Sequence, residues 1–469
     1  MSASDERPNV LLINCDDLGY GDLGCFGSAL HRTPHLDWLA AEGVRCTDFR
    51  MASSVCSASR GAMLTGCYPR RIGFDRFGRA AGVLFPGDPE GLHPDERTIA
   101  DLLRERDYAT RIIGKWHCGD QVEHLPTRHG FDGYFGIPYS NDMGRQAGAL
   151  QRGYPPLPLV RDEEVIQQQP DQAGLIERYV EDAVRFLRAQ RRRPFFLYLA
   201  PFQVHLPLYA PARFVRESRN GRYGACVECV DWAVGALLHE LARLDLDRRT
   251  LVIFTSDNGS RCRGQGGSNA PLRGAKGTAW EGGFRVPFIA RFPGRLPAGA
   301  VCRAPVSSLD LLPTLVGLAG GRAPEDRRLD GRDMAGALRG EPPLAAGKPF
   351  LYYLGTALCA VRRGPWKLFV RLPQTETGTG RTVWQPARAL YNLDEDVAET
   401  TDVADRHPDI VARLLRDHAA ALDDLGDPDL GAPGRNLRPV GRVERPRPLT
   451  QYDPRHPYLM AEYDLAEFG

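Results

Sequence analysis

An α/β fold with a large, mostly parallel sheet and a smaller C-terminal piece is the architecture that the sequence predicts. Three observations lead to it. Short apolar runs rich in branched side chains recur at Asn9–Ile13, Ala109–Ile113, Phe195–Ala200 and Thr250–Phe254. Continuous runs of this kind mark strands buried on both faces. Stretches of helical period lie between them, at Thr98–Arg106, Ala173–Arg188 and Tyr223–Leu244. Finally, 469 residues exceed what a single core usually encloses.

Composition excludes some functions. Sixty basic side chains face 59 acidic ones, so no global field favours nucleic acid or an anionic membrane. No 18-residue apolar run is present to span a bilayer. The polar start MSASDERPNV enters a strand at once and lacks the regions of a signal peptide. The expected location is therefore cytoplasmic. The 11 cysteines show no compact disulfide framework. Cys226 and Cys229 form a CxxC within a helical pattern, with no second ligand pair, and are expected to pack in the core.

In chain order, the first strand leads straight into Asn14, Cys15, Asp16 and Asp17. Two adjacent carboxylates at the end of a buried strand are costly unless a cation or donors compensate them. Thr33-Pro34 starts a helix. The stretch Val55–Gly66, VCSASRGAMLTG, then sets a cysteine, a serine and an arginine ahead of a short apolar run closed by glycine. With Arg60–Thr65 helical, Cys56 lies just before a helix N-terminus. Free N–H groups and the dipole there favour an anion and lower a thiol pKa.

After the 109–113 strand come Gly114-Lys115-Trp116-His117. In extended backbone Lys115 and His117 point the same way. Gly136-Ile137-Pro138-Tyr139-Ser140-Asn141-Asp142 follows. Residues 145–172, rich in Gly, Pro, Arg and Gln, read as a long surface loop and a candidate wall over a pocket. His205 follows the third strand, and Asp257-Asn258 follows the fourth. Lys276 lies in LRGAKG, and Ser307–Leu318 is a helical run.

A break at 340–348 separates the body, residues 1–345, from a smaller part, 346–426. The smaller part suits an antiparallel sheet with one helix at Pro408–Leu422. Residues 427–469 read as an extended Pro/Arg-rich tail, lying on the body or reaching a partner subunit. A homo-oligomer stays open on this reading.

Polar groups thus cluster directly after four apolar runs. Open parallel sheets bind ligands beyond the carboxyl ends of their strands, so these groups belong on one rim. Asp16, Asp17, Asp257 and Asn258 are hard oxygen donors that suit Ca²⁺, with Mg²⁺ as the alternative, better than zinc. Arg60, Lys115 and Lys276 make the same region cationic.

Cys56, Ala58 and Arg60 followed by Leu64-Thr65-Gly66 resemble the signature of the type I, formylglycine-dependent sulfatases: Cys-x-(Pro or Ala)-x-Arg, then Leu-Thr-Gly. Gly114–His117, the Gly-Ile-Pro-Tyr-Ser segment ending at Ser140, His205-Leu206-Pro207 and the Lys276 segment resemble the same family, in its arylsulfatase A-like branch. The resemblance covers roughly residues 8–400 and implies an alkaline phosphatase-like three-layer α/β/α sandwich. It further implies a sulfuric ester hydrolase acting on an aryl or carbohydrate sulfate. Cys56 would be converted to formylglycine by a formylglycine-generating or other sulfatase-maturing enzyme, and its hydrate would attack sulfur and then eliminate sulfate. Asp16, Asp17, Asp257 and Asn258 would hold the cation, with Asp257 also the base on the attacking hydroxyl. Arg60 would hold the formylglycine and His117 would assist elimination. Lys115 and Lys276 would bind sulfate, with Ser140 in the pocket, and His205 or Lys276 would protonate the leaving oxygen. Two other readings compete. One is a phosphonate monoester or phosphodiester hydrolase of the same superfamily; the other is a silent binding protein in which Cys56 stays a thiol.

Overall fold

In the computed structural model, residues 7–78, 81–145, 152–342, 347–375 and 382–458 are described. A ten-stranded sheet organises the body. Its centre is four parallel strands in the order Thr250–Ser256, Asn9–Cys15, Phe195–Ala200, Ala109–Gly114. These are the four apolar runs. Gly133–Gly136 continues the parallel set on one side. Antiparallel Phe288–Arg291 and the short strands Val44–Cys46 and Ala300–Cys302 complete the other side.

Alternation along the first strand explains the layers. Leu11 and Ile13 enter one apolar core, with the helices Pro34–Ala41, Leu175–Ala189 and Gly221–Arg243. Val10 and Leu12 enter the other, with Cys56–Thr65, Ile99–Arg104 and Leu311–Leu318. Successive side chains on a strand face opposite ways, so one apolar run serves both cores. The result is the expected three-layer sandwich. Cys226 and Cys229 are buried in the first core, where Cys229 Sγ donates to the Cys226 carbonyl at 3.2 Å.

Phe350–Leu354, Ala357–Arg363, Trp366–Thr375 and Thr382–Asn392 form an antiparallel sheet packed by the helix Pro408–Asp424. The tail, as far as residue 458, lies on the body, where Gly441–Arg442 pairs with Glu90–Gly91. Among the described residues no helix is long and apolar enough to cross a membrane.

Three local expectations change. Residues 158–168 are not irregular: Pro158–Arg161 and Glu164–Gln168 form a hairpin on the sheet edge, while 146–151 lie outside the described residues. Edge strands with one exposed face lack the apolar run that marked the central ones. The helix that carries Cys56 starts one turn earlier than expected, at Cys56 itself, with extended Val55 as its N-cap and left-handed Gly66 ending it. Its first turn, Cys-Ser-Ala-Ser, is short of large apolar residues, so hydrophobic period alone places the start too late. Lastly, the strand that carries Lys115 ends at Gly114, and His117 has a φ of 62°. The alternation argument for Lys115 and His117 therefore fails, and the two side chains find separate partners.

Candidate active site

Cys56 opens its helix beside the carboxyl ends of the central strands. It is buried, and its Sγ donates to Asp16 Oδ1 at 3.5 Å. The helix start favours a thiolate, but burial and the adjacent Asp16 carboxylate outweigh it and push the thiol pKa far up. The unmodified side chain is thus a protonated thiol, poorly suited to attack as it stands.

Asp16 and Asp17 directly follow the first strand. Lys115 Nζ donates to Asp16 Oδ2 at 2.5 Å, and Arg60 Nη2 lies 3.7 Å from the same oxygen. Burial alone would raise the Asp16 pKa, but Lys115, with His205 and Arg60 behind it, holds it far below the usual carboxylate range. Asp17 sits in the left-handed region at φ 60°. Asn258 Nδ2 donates to its Oδ1 at 2.7 Å, and Lys276 Nζ donates to its Oδ2 at 2.9 Å. Burial of Lys276 disfavours its charge, and Asp17 more than restores it.

Asp257 follows the strand alongside. Arg60 Nε donates to its Oδ2 at 2.9 Å, and the Asp17 backbone N–H donates to its Oδ1 at 3.2 Å. Burial and the nearby Asp16 charge push the Asp257 carboxyl up to about 6. Arg60 also donates to the Lys115 carbonyl at 3.1 Å, tying the Cys56 helix to the end of the 109–114 strand.

Lys115 Nζ also reaches Ser140 Oγ, at 3.3 Å. Ser140 Oγ lies 3.4 Å from His205 Nδ1, and His205 Nε2 lies 3.8 Å from Asp17 Oδ2. The Ser140 and His205 assignments thus meet at one point. His117 is held differently, through Nε2 to the Leu84 carbonyl at 3.0 Å. Its Nδ1 is buried without a hydrogen-bond partner. Burial, with Lys115 adding to it, drives its pKa well below the ordinary value, so the ring is neutral.

Asp16, Asp17, Cys56 and His205 each place a ligand atom within 4.8 Å of the others. Asn258 Oδ1 is buried and without a partner. A dry, unpaired amide oxygen beside two carboxylates fits a hard divalent cation, which takes oxygen ligands. The residues present therefore fit the cation that the family implies.

Sequence reading missed several supporting groups. Tyr198, on the 195–200 strand, accepts from Asn14 Nδ2 at 3.0 Å and lies 3.4 Å from Arg60 Nη1. Ser59 Oγ donates to the Asp257 carbonyl at 2.5 Å, and Asn141 Oδ1 lies 3.1 Å from His205 Nδ1. Only Asn141 carried a sequence signal, as the neighbour of Ser140; the others act across strands that no local pattern pairs.

Groups of both signs, held dry beyond the ends of parallel strands, suit an enzyme that binds an anion and cleaves an ester from it. The comparisons put the chain in that class and narrow it: it belongs to the sulfatase family, whose model, described as Sulfatase, matches residues 8–321. It is thus a sulfuric ester hydrolase acting on sulfate monoesters. Steryl-sulfatase of Mus musculus is 38% identical over 443 residues, covering 78% of this chain and 71% of that protein. Arylsulfatase A of Homo sapiens is 38% identical over 444 residues, covering 87% and 86%. The solved structure of Ps i-CgsB in complex with k-i-k-neocarrahexaose superimposes with a TM-score of 0.77 at 30% identity, covering 93% of this chain and 96% of that one.

Proposed function

We propose that the chain hydrolyses an aryl or carbohydrate sulfate through a formylglycine made from Cys56, assisted by a divalent cation. Asp16, Asp17, Asp257 and Asn258 would hold the cation, with Ca²⁺ expected and Mg²⁺ the alternative. When both groups are in place, they supply a geminal-diol nucleophile and a Lewis acid that polarises the sulfate. Conversion of Cys56 also implies a sulfatase-maturing enzyme as a partner.

The chain's own residues account for the rest. Asp257, whose pKa lies at about 6, is the base for a hydroxyl at position 56. Arg60 orients that residue and Asp257 together. Lys115, held on Asp16, and Lys276, held on Asp17, offset the charge that develops on sulfate oxygens. The neutral His117 ring offers its partnerless Nδ1 to take a proton from the second hydroxyl during elimination. His205, steadied by Asn141 and Ser140, or else Lys276, delivers a proton to the leaving oxygen.

The observation that carries this reading is the seat of Cys56: first residue of its helix, buried, 3.5 Å from Asp16. The relatives support it, since those above are named for steryl and aryl sulfates and another for N-acetylgalactosamine-6-sulfate. Peptide mass mapping of the active preparation tests it. Replacing sulfur by oxygen with loss of two hydrogens makes the 56 peptide lighter. An unmodified thiol in a fully active preparation refutes the nucleophile. Comparing kcat/KM on the sulfate, phosphonate and phosphodiester of one phenol then ranks the ester classes.

A further inference from the structure

The C-terminal tail touches the body at points that share a destination. Beginning beside the end of the nucleophile helix, the Arg438 backbone N–H donates to the Arg71 carbonyl at 2.7 Å. The Arg438 guanidinium donates to buried Glu96 at 2.9 Å and to Cys67 Sγ at 3.2 Å. Gly441–Arg442 then pairs with Glu90–Gly91, and Val443 N donates to the Pro89 carbonyl at 3.0 Å. Pro448 packs on left-handed Gly87, where even a Cβ would approach it to 3.0 Å. Arg447 N donates to Gln121 Oε1 at 2.8 Å. Buried Thr450 donates to the Pro156 carbonyl. Arg145 stacks its guanidinium 3.6 Å from the Tyr452 ring centre.

Three of the segments so gripped lead to the rim: loop 84–91, residues 120–121 and the turn that ends at Arg145. Loop 84–91 holds the site at its near end, where Leu84 N donates to Ser57 Oγ at 3.1 Å and the Leu84 carbonyl binds His117 Nε2. Gly87 N donates to Asp120 Oδ2 at 2.7 Å, and Gln121 Nε2 donates to Asp120 Oδ1 at 3.0 Å. Loop 84–91 and the segment after His117 are therefore joined both directly and through the tail. Arg145 ends the turn that starts at Ser140. A backbone with few strand or helix bonds of its own holds a position only as well as its supports do.

We propose that residues 438–452 are a positioning strap that fixes the wall carrying His117 and Ser140, with Thr450 and Tyr452 as positioning residues that touch no reacting atom. This rests on the sulfatase reading for its kinetic consequence but not for its structural one. The test is the full-length double variant Thr450→Val with Tyr452→Ala, against Arg455→Ala, whose side chain is almost wholly exposed and paired with Asp453. Expected for the double variant are faster hydrogen exchange in peptides spanning 139–145 and 153–158, which hold the partners Arg145 and Pro156, a melting temperature within a few degrees of the parent, and a fall of about tenfold to a hundredfold in kcat on an aryl sulfate with a smaller change in KM. Arg455→Ala should match the parent throughout. Parental exchange and parental kcat in the double variant overturn the strap, as does a loss of activity that only follows melting temperature. If the parent cleaves no sulfate ester, the functional reading fails, and the exchange measurement alone decides the strap.

Discussion

Two buried clusters in this molecule each set three carboxylates against basic side chains, with different chemistry. At the rim, Asp16, Asp17 and Asp257 face Arg60, Lys115 and Lys276. Where the body meets the C-terminal sheet, Asp48, Glu281 and Glu399 face Arg50, Arg362 and Lys367. In this second cluster Glu281 takes Arg50 at 2.8 Å, Lys367 at 3.1 Å and the Tyr352 hydroxyl at 2.6 Å. Its own backbone N–H donates to Glu399 Oε2 at 2.7 Å. Here the charges are spent on one another and clamp two sheets: even Glu399 Oε1, which makes no well-aligned hydrogen bond, is ion-paired with Lys367 Nζ at 2.8 Å. At the rim, buried capacity is left over: Asn258 Oδ1 and His117 Nδ1 have no partner. Charge content therefore does not separate a site from a lock; unspent donors and acceptors aimed at one place do.

Breaking each cluster should have opposite signatures. The largest effect is expected from Cys56→Ala, which should cut turnover of an aryl sulfate by more than about a thousandfold while leaving the melting temperature near that of the parent. Steady-state kinetics and calorimetry on one preparation check this, and substantial residual turnover would remove Cys56 from its role. Glu281→Ala in the lock should do the reverse. Removing the carboxylate that Arg50 and Lys367 share, and leaving them only Asp48 and Glu399, should cost about 3 kcal/mol in denaturant unfolding, with kcat of the folded fraction within about twofold. A drop in kcat at unchanged stability would mean that the lock is part of the site.

Smaller effects sharpen the contrast. Asn258→Ala should weaken Ca²⁺ binding by at least about tenfold in calorimetric titration. The thermal shift that Ca²⁺ gives the parent should shrink in step, and an unchanged affinity would take Asn258 out of the cation set. The least change is expected from Glu399→Gln. Burial raises the Glu399 pKa, Lys367 opposes this, and Glu281 adds to it. The folded state thus holds that proton more tightly than the unfolded chain. The resulting stability is fully present below the unfolded value near 4.5 and is lost as pH rises through the folded one. Glu399→Gln should therefore flatten the fall in melting temperature as pH rises above about 4.5. An unaltered slope would assign that fall to other groups.

By itself the sequence determined the parts that are local. Each buried strand is a continuous apolar run, so its ends, and the polar residues just past them, are visible without knowing any neighbour. That placed Asp16, Asp17, Lys115, His205, Asp257 and Asn258 at strand ends, and the short apolar run closed by Gly66 marked the helix behind Cys56. Only the tertiary structure decided what depends on who stands beside whom. The strand order 250–256, 9–15, 195–200, 109–114 follows from crossovers and brings Asp17 to Asn258 across 241 residues. The same packing swings His117 onto Leu84, supplies Tyr198 and Ser59 as supports, closes the lock around Glu281 and lays the tail across loop 84–91. Apolar periodicity records which face of an element is buried; it carries no trace of the partner, because burial against any neighbour yields the same pattern.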